Sequence, residues 1–178
     1  MTRLKLATFS LEDTDFFKEY TAAMAPVAQA LDRLQAEGQA YLGCVLPILA
    51  VTTMKLKEMK ERRLLDFCGS LVDALLGGIE KRFGHLLEDT EYQLAAGFHP
   101  RFRLVWLEKT SPALVDRVRL AMESALEDAL KEDCAGSPSD GVIPDDGEQA
   151  VDRDYFSGII SQSTGASSSS RLVISRFL

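Results

Sequence analysis

Three cysteines, Cys44, Cys68 and Cys134, and two histidines, His85 and His99, are the residues of this 178-residue chain best suited to nucleophilic or metal chemistry. A Cys–His nucleophile needs one of each to meet in space, which spacing alone does not establish. No two cysteines stand in CxxC spacing, and two histidines make a poor zinc set. His99 precedes Pro100 at an expected helix end and reads as a capping or structural residue, while His85, after Gly84, reads as a turn residue. Cys44 and Cys68 lie among apolar neighbours and read as small buried hydrophobes. Three cysteines make a poor disulfide framework, and together with the absence of a visible signal peptide they favour a reducing compartment, nucleus or cytoplasm, over secretion. No Walker loop, GxGxxG, HExxH or EF-hand pattern is present. Acids gather at expected helix starts (Glu12, Asp13, Asp15; Glu88, Asp89, Glu91), where the helix dipole accounts for them; a two-metal nuclease needs acids converging from separate elements. The expectation is no metal, no cofactor and no enzymatic activity.

Binding candidates are stronger. Lys55, Lys57, Lys60, Arg62 and Arg63 cluster at an expected helix C-terminus, where the dipole favours bases. If the fold joins them with Lys81, Arg82, Arg101 and Arg103, they make a phosphate-contacting patch that positions nucleic acid without reading sequence. Glu58 and Glu61 dilute this charge, so a solvated helix end is the plainer reading. Trp106, between Val105 and Leu107, reads as core. Two apolar islands lie far downstream: Tyr155-Phe156 with Ile159-Ile160, and Leu172-Val173-Ile174 with Phe177-Leu178. They are read either as apolar residues inside disorder or as segments docking on something this chain lacks, a partner groove or a further domain.

The elements that position these residues are helical. Leu11, Phe16, Tyr20, Met24, Val27, Leu31 and Leu34 recur at spacings of three to five, predicting an amphipathic helix capped by Ser10 and Asp13 and kinked or split at Pro26. A second helix is predicted from about Leu46, with Pro47 in its first turn. A third run carries Leu64, Phe67, Leu71, Leu75, Ile79 and Phe83, where Gly77-Gly78 suggests a tight crossing or a bend. A fourth spans about Asp89 to Phe98. Residues 101–107 alternate Phe102, Leu104 and Trp106, as a short strand or an extended stretch packed on helices does. Ser111-Pro112 then signals the start of a last helix.

The body, 10–133, is therefore read as a mainly α domain, a bundle of about five helices with a short extended segment. Residues 134–178 are read as a disordered acidic and Ser-rich tail. The chain carries 20 Lys+Arg against 27 Asp+Glu, a net charge of -7 that disfavours a predominantly basic nucleic-acid binder. The uncharged run from Gly38 to Met54 reads as a buried helix rather than a membrane span.

In order and spacing, Tyr20, Met24, Pro26, Ala30-Leu31-Asp32, Tyr41, Gly43, Leu46-Pro47, Gly78-Ile79, Lys81-Arg82-Phe83, His99-Pro100, Phe102, Leu104 and Trp106 resemble the late helical region of hAT-type DNA transposases. Asp154-Tyr155-Phe156-Ser157 is similar to the linker that follows it. The resemblance implies an all-helical insertion and a nuclear setting. It carries over no zinc finger, no catalytic aspartate or glutamate and no complete dimerisation region, so it implies no transposase activity here. Three functions follow: a non-catalytic transposase-derived fragment, a protein-interaction module using a helical face or the tail islands, and weak nucleic-acid binding through 55–63.

Overall fold

The computed structural model describes residues 9–36, 41–62, 65–133, 155, 156 and 159. Six α-helices and no strand occur among them: α1 (Leu11–Leu34), α2 (Leu42–Glu61), α3 (Gly69–Phe83), α4 (Thr90–Phe98), α5 (Val105–Thr110) and α6 (Val115–Asp133). Short 3₁₀ turns occupy Gly84–Leu87 and Pro112–Leu114. No helix among the described residues is long and apolar enough to cross a membrane. Arg63, Leu64, Cys134, Ile160 and the island 172–178 lie outside the described residues, as does most of the stretch 134–178.

Ser10 starts α1 by a reciprocal cap. Its Oγ accepts from the Asp13 N–H at 3.0 Å, and the Asp13 carboxylate accepts from the Ser10 N–H at 2.9 Å. The helix runs unbroken through Pro26. Its fully buried residues are Ala23, Pro26 and Ala30, and of the apolar stripe read from the periodicity Val27 and Leu34 are half-buried and pack against the core. Leu11, Phe16, Tyr20 and Leu31 face outward, Leu11 86% exposed. Small side chains at Ala23 and Ala30 face the core where α1 packs on α2, with Val27 and Leu34 beside them.

α2 begins at Leu42, so Pro47 sits in the helix interior rather than in its first turn. α2 packs most extensively on α4. A Cβ at Gly43 would stand 2.5 Å from the Ala95 carbonyl oxygen, so only glycine permits that approach. At Gly97, between α4 and α6, a Cβ would meet Met122 Sδ at 2.6 Å, so the Met122 side chain would have to shift. Gly77 and Gly78, in contrast, face open space inside a continuous α3 and mark neither a crossing nor a bend.

The extended segment expected at 101–107 is a turn followed by α5. Arg103 takes a positive φ of 48°, which throws Phe102 and Leu104 inward on either side of it, and α5 then buries Trp106 and Leu107. The alternation is produced by a left-handed turn residue, not by a strand. Ser111 marks the approach to the last helix without a side-chain cap; Pro112 opens a 3₁₀ turn and α6 follows at Val115.

Two buried clusters result. The larger gathers Leu46, Ile48, Phe102, Trp106, Leu107, Val118 and Met122 from α2, the 101–104 turn, α5 and α6. The smaller holds Ala23, Leu56, Cys68 and Val72, where α1, α2 and α3 meet.

Candidate interaction surfaces

The structure disperses the basic cluster. Lys60 pairs with Asp73 of α3 at 2.6 Å, and Arg62 pairs with Glu58 at 2.5 Å. Lys55 turns back toward the body, its Nζ 4.2 Å from the Tyr155 ring centroid. Lys57 lines a cleft of about 260 Å³ beside Glu80, Thr110 and Lys109. Arg101 lies over the Phe156 ring at 5.0 Å. These exposed pairs are individually weak, but they divide the bases between separate partners instead of presenting one phosphate-binding face.

Tyr155, Phe156 and Ile159 are part of the larger core. For these three residues this corrects both readings, apolar residues inside a disordered tail and segments docking on something outside the chain. The body itself supplies the groove. Arg33 of α1 and Lys55 of α2 lie against the Tyr155 ring at 3.9 and 4.2 Å. The Tyr155 hydroxyl lies 3.0 Å from Thr52 Oγ1, which also donates to the Ile48 carbonyl at 2.8 Å. Phe156 packs on Phe102 with ring centroids 4.9 Å apart, and Ile159 is fully buried. Burial pushes the Tyr155 phenol up from its ordinary value, against the Thr52 hydrogen bond and the Arg33 charge, which lower it.

A Cys–His approach does occur. Cys44 Sγ lies 3.9 Å from His99 Nε2. The other ring nitrogen, Nδ1, accepts from the Arg101 N–H at 3.3 Å, so a neutral ring carries its proton on Nε2. That tautomer points a donor at the sulfur and has no lone pair with which to take the thiol proton. His99 ends α4 and packs at a tilt of 34° on the Phe102 ring, centroids 4.7 Å apart, a structural position. Cys68 is buried, and burial followed by the charge of Glu19 pushes its thiol up, away from reactivity. No group of three or more His, Cys, Asp or Glu that could hold a metal occurs among the described residues.

Glu19 has a role the periodicity did not reveal. Its carboxylate accepts from the Asp66, Phe67 and Cys68 N–H groups at 2.7 to 3.1 Å, at the start of α3. Cys68, at the cap position, offers no side-chain acceptor, and a carboxylate from α1 takes that place. Burial opposes ionisation of Glu19, but the Cys68, Phe67 and Asp66 donors outweigh it and hold the carboxyl below its ordinary value.

The remaining feature is the first half of α1. No buried residue of the helix precedes Ala23. Phe9, Phe16, Phe17 and Tyr20 are exposed there, and Phe67 joins them from the approach to α3. Successive rings touch: Phe9–Phe17 at 5.4 Å, Phe16–Phe17 at 5.6 Å, Phe16–Tyr20 at 6.1 Å and Phe16–Phe67 at 6.2 Å. A shallow groove of about 600 Å³ runs past Phe9, Phe17, Thr21, Ala22 and Ala25. The rings hold one another in register and leave their outer surfaces to water. No known protein-family model matches the chain, nor does any curated protein or solved structure.

Proposed function

We propose that the chain is a non-catalytic protein-interaction module that takes an apolar peptide segment of a partner along the first half of α1. The observation that carries this reading is the five-ring aromatic cluster on a stretch of helix that buries nothing of its own. Contiguous apolar patches of this kind mark interaction sites more often than scattered exposed residues do. Aromatic anchors also suit the purpose, because they offer large contact area for little lost side-chain entropy.

The test is selection of random twelve-residue peptides on the full chain. Enriched peptides should be rich in aliphatic and aromatic residues and should lose binding to the Phe17→Asp and Tyr20→Asp variants. Absence of an apolar consensus, or binding unchanged by both substitutions, sinks the reading.

The transposon origin stands as a proposal beside it. The order and spacing of the residues from Tyr20 to Trp106, together with an all-helical body, support descent from the insertion region of a hAT-type transposase and a nuclear setting. Nucleic-acid binding through 55–63 ranks lower, since Lys60 and Arg62 are engaged by Asp73 and Glu58.

A further inference from the structure

We propose that the partner on the outer face of α1 is a second copy of this chain, whose own α1 lies antiparallel along it across a twofold axis between Ala25 and Pro26. This deepens the interaction reading and rests on it.

Register is the first argument. Phe17, Tyr20, Met24, Val27, Leu31 and Leu34 follow one another at alternating steps of three and four, the spacing of a two-helix seam. Val27 and Leu34 rest on the chain's own core, while Phe17, Tyr20 and Leu31 are exposed beside them. The inner edge of the seam thus belongs to the fold and its outer edge is open. Antiparallel pairing about the twofold axis sets Phe17 against Leu34 of the second copy, Tyr20 against Leu31, and Met24 against Val27. Read in either direction the seam offers apolar positions at the same places, so each copy supplies what the other receives, as an isologous contact requires.

Charge is the second argument, and it fixes the direction. The positions flanking the seam on its open side, Thr14, Thr21 and Ala28, are small and uncharged, which lets two helices approach. The acids Glu12, Asp13 and Asp15 gather at the helix start. Parallel pairing would set them beside their copies, with Asp13 facing Asp13 in the seam itself. Antiparallel pairing separates the two acidic starts by about 36 Å along the axis, far beyond the screening length of about 8 Å, and opposes the two helix dipoles.

Area is the third argument. The Phe9 and Phe67 rings touch Phe17 and Phe16 and widen the seam at its start. Together with Tyr20 and Leu31, these side chains are each between 38% and 74% exposed. Taking about 100 Å² from each gives about 600 Å² per copy and about 1,200 Å² for the pair, the lower bound of a specific interface. An interface of that size predicts a reversible dimer with a dissociation constant of roughly 10 µM.

The test is sedimentation equilibrium of the full chain from about 1 to 100 µM, which brackets that value. The mass should climb from 19.6 kDa toward twice that, and a constant 19.6 kDa overturns the proposal. The Tyr20→Asp and Leu31→Lys variants should each self-associate about tenfold more weakly, because each puts unpaired charge into apolar surface. Self-association unchanged in both overturns the seam. Mixed one to one, the two variants should recover the parent's affinity. An aspartate at position 20 then faces a lysine at position 31 in one contact, and the symmetry-related contact keeps Tyr20 and Leu31. No gain on mixing overturns the antiparallel pairing. If the parent stays monomeric while selected peptides bind in a Phe17-dependent way, the interaction reading stands and the second copy alone fails. If the parent stays monomeric and no apolar peptide binds, both fail.

Discussion

The two halves of α1 treat their side chains in opposite ways. From residue 23 onward the helix buries Ala23, Pro26 and Ala30 against α2, while its first half carries Phe16, Phe17 and Tyr20 and buries nothing. Size explains the inversion. A helix can approach a neighbour closely only where its side chains are small, and the close contact then supplies the burial. The large rings are left where only the approach to α3 comes near, at Phe67, and they otherwise pack on one another. Within one helix, residue volume separates the half that builds the fold from the half that remains available.

Five substitutions would break or sharpen this contrast. The largest concerns what the buried half helps to hold. Placing a charge in the core by Ile159→Asp should cost about 4 kcal/mol in denaturant unfolding of the full chain, and an unchanged midpoint would show that the tail is not docked. Next, Ala23→Leu should cost about 2 kcal/mol through overpacking against α2. Its counterpart Phe17→Ser should stay within about 0.5 kcal/mol of the parent, so similar losses at the two positions would erase the distinction.

Glu19 links the halves to pH. Its folded-state value is depressed, so the stability it contributes is present above the ordinary glutamate range. That contribution is lost as pH falls through the folded value. Glu19→Gln should lower the melting temperature by a few degrees at neutral pH and should flatten the loss of stability in the acid limb below about pH 4.5. Parallel melting curves for parent and variant across that limb would argue against the α3 cap.

A small gain of stability tests the open side of α3. Gly78→Ala should stabilise by about 0.5 to 1 kcal/mol, since the added methyl meets nothing and helix propensity improves. A destabilisation there would mean that another element crosses α3.

Much of the helix layout was legible in the residues. Ser10 with Asp13, Asp89 ahead of Thr90, and Pro100 after Phe98 each mark a boundary within a residue or two. These signals are local, and a helix end is a local event. Which face of α1 turns inward was not legible, because periodicity finds a stripe without naming its neighbour. The turn at Arg103 imitated a strand because one left-handed residue sends its two neighbours to the same side, as alternation does. Nothing local marks Glu19 as a cap, because its donors lie 47 to 49 positions away. Its one trace in the sequence is the uncapped start of α3 at Cys68-Gly69. Tyr155, Phe156 and Ile159 stood out as apolar, but nothing local said that Thr52, Arg33 and Phe102 would receive them.

The contact between Thr52 and Tyr155 joins residues 103 positions apart. A ribosome adds about 5 to 20 residues each second, so the 26 residues from Asp133 to Ile159 take about 1 to 5 s to emerge. During that interval the residues of all six helices have been made, while those that fill the groove beside Phe102 have not. The nascent chain therefore passes through a stage in which its largest core is open on one side.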